Sequence, residues 1–244
     1  MVPDSPVAIS DVAPTAQPRV LGDEKRQRWF ELCLVLLVAF GTFFLNSLYL
    51  FRNGPSAAPH ISGYRWLMAT VQEVTSLLLL GYVLWRRNLR FRDLGLRWSL
   101  RDVGIGLIVA FAAFLATSLG TFIIQMAHYA AYGSFSTGPT GKDFFSHPGV
   151  MAIPFSLLNP FFEELIVRAY LMTEVMDLTG SSALAVALSV AVQFSYHLYY
   201  GWVGAISVSF SFLFFALYYA SSRKALPIIV AHGFFDIYAV IRLW

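Results

Sequence analysis

Seven apolar runs, each near the length that crosses a bilayer, leave this chain few ways to fold. They cover residues 30–50, 66–85, 103–129, 150–176, 182–199, 202–220 and 226–243, and a hydrocarbon core of about 30 Å takes about 20 helical residues. In lipid every backbone N–H and C=O needs a partner within its own helix or within a closed barrel. The period-two alternation of barrel strands is missing from these runs. The expected fold is all-α, a polytopic transmembrane helix bundle of about seven spans. Composition agrees: 57% of the residues are hydrophobic and 13% charged, against about 25% charged in a soluble domain. Trp29, Trp66, Trp85, Trp98, Trp202 and Trp244 lie near run ends or in the loops between runs, where interfacial aromatics collect. Within the fourth run, Asn159-Pro160 is a helix-start signal with Pro at the first helical position, so a broken fourth span is expected there.

Before the first run, Pro3, Pro6, Pro14 and Pro18 stand among small and polar side chains. No apolar core of a signal peptide is present, and a disordered polar tail over residues 1–28 is expected, followed by the bundle over 29–244. The net charge of +3 gives no reason to expect nucleic acid as a partner; it bears on orientation among membrane lipids. Twelve of the 17 Lys and Arg, including Arg86, Arg87, Arg90, Arg92, Arg97 and Arg101, fall on one face when the loops alternate. The positive-inside rule then places the N-terminus in the cytoplasm, the C-terminus outside after seven spans, and the chain in a membrane such as the plasma membrane. A single cysteine, Cys33, excludes an intramolecular disulfide.

Against that apolar background, three clusters of ionisable residues stand out: Glu163-Glu164 with Arg168, His197, and His232 with Asp236. Insertion scales put the cost of a charge at the bilayer centre at roughly 2.5–3.5 kcal/mol, so such groups mark function. On a helix Glu164 and Arg168 are four apart in the favourable acid-before-base order, while Glu163 is turned about 100° away. Arg168 can therefore neutralise Glu164 and leave Glu163 available as a base. Ser189, Gln193 and His197 make one polar stripe, and His232 and Asp236 share a face. A carboxylate and an imidazole aimed at one water contribute about 10²–10⁴ in rate, and a donor to an oxyanion about 10²–10³. The set describes water attacking a peptide carbonyl. No serine nucleophile elbow or zinc-binding HExxH helix is present. Zinc nevertheless accepts His and carboxylate ligands, and a divalent metal, if present, would be held by Glu163, His197 and His232. Glu73, beside Gln72 in the second run, either lines the cavity or makes an interhelical hydrogen bond.

The order EExxxR, a helix ending in His, then Hxxx(N/D) resembles the type II CAAX prenyl endopeptidase family, also called CPBP or ABI intramembrane proteases. The matching residues are Glu163, Glu164 and Arg168, followed by the aromatic Tyr170, then His197, then His232 with Asp236. The likeness covers about residues 150–243, and the loop Asp93-Leu94-Gly95-Leu96-Arg97 also looks family-like. It implies a helical bundle with a water-filled cavity and a glutamate-type or metallo-endopeptidase. In it Glu163 and His197 activate water, His232 and Asp236 form the oxyanion site, and Glu164 and Arg168 support them. The implied substrate is a membrane-associated, CAAX-like peptide or protein. Where the second motif is usually FxxxH, this chain has Gln193, a supporting amide that can tune the imidazole or narrow the cavity. Other readings are a non-proteolytic relative, such as a bacteriocin-immunity or scaffold protein, and a proton-coupled transporter with Glu73, Glu163 and His197 as relay groups. One tension remains. Counting about 1.5 Å per residue puts His197 about 24 Å and His232 about 10 Å from the cytoplasmic ends of straight spans, so the helix ends must be offset or the span limits differ.

Overall fold

The computed structural model describes residues 18–57, 63–139, 143 and 149–243. Its helices are α1 (Pro18–Asn53), α2 (Gly63–Arg86), α3 (Leu100–Tyr132), α4 (Ala152–Glu163), a π-helical segment (Glu164–Tyr170), α5 (Leu171–Thr179), α6 (Ser182–Tyr196), α7 (Gly201–Ser222) and α8 (Leu226–Leu243). The architecture is all-helical, with no strand among the described residues. Four helical stretches are long and apolar enough to cross a membrane: Gly22–Asn53, Gly63–Arg86, Leu100–Tyr132 and Leu198–Ser222. Large apolar side chains such as Phe30, Leu37, Ile108, Phe111, Leu119 and Phe122 face outward. A surface this apolar fits an integral membrane protein.

Two boundaries depart from expectation. Helix α1 begins at Pro18, so residues 18–28, expected within the disordered tail, are helical; Pro costs nothing at a helix start, where its missing N–H would have no partner. Residues 1–17 lie outside the described residues. In the fourth run the chain is helical from Ala152 to Thr179, with Asn159 and Pro160 inside α4. The irregularity is the π-helical segment that starts at Glu164.

Loop chemistry explains where the helices stop. Ser99 and Ser181 cap α3 and α6 by accepting the N–H groups of Asp102 and Leu184, the usual role of serine at a helix start. Gly95, at φ 86°, closes the turn after α2 and gives its carbonyl to the N–H of Ala225, at 3.1 Å. A Cβ at Gly95 would stand 2.0 Å from the carbonyl oxygen of Arg223, so only glycine fits where this loop meets the α7–α8 connection.

The centre of the bundle is the π-helical segment, whose seven residues are all buried. Around it pack Val35, Ala39 and Phe40 of α1, Leu80 and Leu84 of α2, Ala185 and Tyr196 of α6, Phe215 and Tyr219 of α7, and Ile228 and Ala231 of α8. Widening of the helix disturbs the ordinary hydrogen-bond ladder, and the Tyr219 hydroxyl answers part of that disturbance, 3.3 Å from the carbonyl oxygen of Ala169. Such π segments recur at functional sites because they rotate side chains out of α-helical phase. In the first turn of α5, Glu174 binds Arg28 of α1 and Arg87, one residue past α2, each at 2.8 Å.

Candidate active site

Glu163 ends α4 and Glu164 opens the π-helical segment, so the two acids enter different surroundings. Glu163 is 7% exposed, and its Oε2 accepts hydrogen bonds from Gln193 Nε2 at 2.8 Å and from the Tyr196 hydroxyl at 2.7 Å. Both donors come from α6, three residues apart and thus on one face. Tyr196 is held by a stacked contact with Phe40, ring centroids 4.9 Å apart. His197 follows as the residue that ends α6. Its Nδ1 lies 2.9 Å from the backbone oxygen of Gln193, and Tyr196, Tyr199, Tyr200 and Phe212 surround its ring. Gln193, expected to tune the imidazole or narrow the cavity, directs its side-chain amide to Glu163. Ser189, one turn earlier on the same stripe, is buried.

Glu164 and Arg168 are fully buried and form the expected pair, Nε to Oε2 at 3.4 Å. The guanidinium also lies 5.5 Å from the Phe212 ring centroid and 6.0 Å from that of Phe215, a cation–π setting that offsets part of the cost of its burial. The other oxygen of Glu164 accepts from His232 Nδ1 at 2.7 Å. On the far edge of that ring, Nε2 stands 3.6 Å from Asp236 Oδ1, and Asp236 Oδ2 accepts from Asn159 Nδ2 at 2.9 Å. A continuous chain therefore runs Arg168–Glu164–His232–Asp236–Asn159. Its side chains are dry at the Arg168 end and open toward Asp236, which is 23% exposed.

The three clusters converge. Both His197 and His232 lie within electrostatic range of the Glu163 carboxylate. Helix contacts answer the tension in depth: Gln193 and Tyr196, at the far end of α6, bond to Glu163, while His232, near the start of α8, bonds to the adjacent Glu164, so the starts of α6 and α8 are offset along the bundle. Sequence reading missed Tyr196 and Asn159 as site residues. The signal for Tyr196 was its i,i+3 spacing from Gln193; Asn159 read as a helix start, although the structure places it inside α4 bonded to Asp236.

A divalent metal, if present, would fall to Glu163, His197 and His232. Among the described residues no group of three His, Cys, Asp or Glu side chains is arranged to hold an ion. His232 has Nδ1 bonded to Glu164 at 2.7 Å, while Nε2 stands 3.6 Å from Asp236 Oδ1. An apolar cavity of about 420 Å³ lies between α4 and α8, lined by Ile153, Ser156, Leu157, Ile237, Val240 and Ile241. None of the motif residues lines it, though Ile237 adjoins Asp236.

The structure is thus an apolar helical bundle with paired glutamates, two histidines and a buried arginine at its centre. Residues 145–238, which hold all three motifs, match the family described as type II CAAX prenyl endopeptidase Rce1-like, and the match supports the family that the motifs resemble. No curated protein and no solved structure shows a significant match to the chain.

Proposed function

We propose that the protein is an intramembrane endopeptidase that hydrolyses a peptide bond of a membrane-associated, CAAX-like substrate, with water activated by Glu163 and His197. The observation that carries this reading is the asymmetric tethering of Glu163: Gln193 and Tyr196 both bond to Oε2, which leaves Oε1 to take a proton from water. With its Nδ1 hydrogen directed to the Gln193 carbonyl, His197 has Nε2 left to accept from the same water. Attack on the substrate carbonyl places negative charge on its oxygen, and the His232 ring, held between Glu164 and Asp236, is the donor in reach of it. Arg168 balances the charge of Glu164 and keeps that carboxylate on His232. The surrounding bundle is proposed to make about seven crossings with the N-terminus in the cytoplasm, in accord with the arginine-rich loop after α2.

Glu163→Ala separates this reading from its competitors. Membranes carrying the variant should accumulate an uncut membrane protein that the wild type processes, with the variant folded and present in equal amount. Equal processing by both, or solute flux without any cleavage product, would overturn the hydrolase reading.

A further inference from the structure

A third acid belongs to the same interior. Glu73 of α2 is fully buried, and neither of its carboxyl oxygens has a hydrogen-bond partner among the described residues. It lies on the buried stripe of α2 with Ser76 and Leu80, on a helix that packs against α4. The carboxyl groups of Glu163 on α4 and Asp236 on α8 lie within electrostatic range of it. Its polar neighbours are already satisfied: Ser76 donates to the carbonyl of Gln72 at 2.7 Å, and the Gln72 amide donates to the carbonyl of Val38 on α1. A carboxyl kept for helix packing would claim such a donor.

The other acids of the site are committed, Glu163 to Gln193 and Tyr196, Glu164 to His232 and Arg168, and Asp236 to Asn159. A bare carboxylate in an apolar interior beside two more carboxylates is far more costly than a neutral acid. Such an acid suits amide hydrolysis, because the departing nitrogen must gain a proton as it leaves.

We propose that Glu73 is a neutral carboxylic acid of the catalytic site and the general acid that protonates the leaving nitrogen. The proposal rests on the endopeptidase reading above. Water adds to the carbonyl carbon while its proton passes to Glu163. When the tetrahedral intermediate collapses, the C–N bond breaks, its electron pair goes to nitrogen, and nitrogen takes the proton of Glu73. The new carboxylic acid and amine depart, and the proton on Glu163 passes through water to Glu73, which restores both groups.

Two measurements decide the matter. Infrared difference spectra of the purified protein in lipid vesicles at neutral pH, wild type minus Glu73→Gln, should contain the carbonyl stretch of a protonated carboxylic acid. Cleavage of the precursor that accumulates with Glu163→Ala should fall about 10²-fold in Glu73→Gln. A peptide with an activated aryl ester at the scissile bond, whose leaving group departs without a proton, should be cleaved at close to the wild-type rate. A purely structural role would slow both substrates alike. Absence of the infrared band, equal slowing of ester and amide, or wild-type amide cleavage by Glu73→Gln overturns the role of Glu73 while leaving the endopeptidase reading intact. Absence of cleavage by the wild type overturns both.

Discussion

Two hydrogen bonds to one oxygen decide which atom of Glu163 is available for chemistry. Tyr196→Phe removes the shorter of them without changing the stacking on Phe40. A hydrogen bond to a charged group contributes about 1.5–3 kcal/mol, so kcat should fall roughly 10- to 100-fold, with KM nearly constant, in a steady-state assay on the accumulated precursor. Arg168 presents the opposite case. It is wholly enclosed, and Arg168→Met leaves Glu164 buried without its counter-charge, a change expected to cost about 3–5 kcal/mol in stability. Denaturant or thermal unfolding in detergent measures this, and adding Glu164→Gln should recover part of the loss. At this scale the sequence was informative where spacing carries chemistry: Glu163, Glu164, Arg168, His232 and Asp236 stood out because charge is rare in apolar runs. Tyr196 did not, since a tyrosine at a helix end in a chain rich in aromatics reads as packing or as an interfacial anchor.

At the level of elements, the limits of the apolar runs were legible and the conformation within them was not. Hydropathy located most helix ends to within about three residues, but α1 begins at Pro18, well before the expected 30, and α6 ends at Tyr196, three residues short of the expected 199. A π-helical segment has the same composition as an α-helix, so no pattern in Glu164–Tyr170 announces it; Asn159-Pro160 drew attention to a place a few residues upstream. That segment is held in register partly from its C-terminal side, where Glu174 joins α5 to Arg28 and Arg87. Glu174 is 2% exposed and each arginine 19%. Glu174→Ala leaves two largely enclosed cations without their shared acid and should lower stability by about 1–3 kcal/mol. A drop in unfolding midpoint that also appears in Glu174→Gln, with little change in KM, is the expected signature.

For the whole molecule, burial and exposure are inverted relative to a soluble protein: apolar side chains cover the outside, and the charged chain from Arg168 to Asp236 lies within. The arginine-rich loop following α2 sets the expected orientation. In a Cys33→Ser background, a cysteine placed at Asn88 should react with a membrane-impermeant maleimide only when the cytoplasmic face is open. Labelling from the outside of intact cells would reverse the assigned orientation. The central claim is that Glu163 turns over water inside this bundle, and oxygen exchange addresses it most directly. Processing in H₂¹⁸O by the wild type should place one heavy oxygen in the newly formed carboxyl group of the product, and Glu163→Gln, folded and equally abundant, should yield no such product. Labelled product from the variant at the wild-type rate would contradict the role of Glu163.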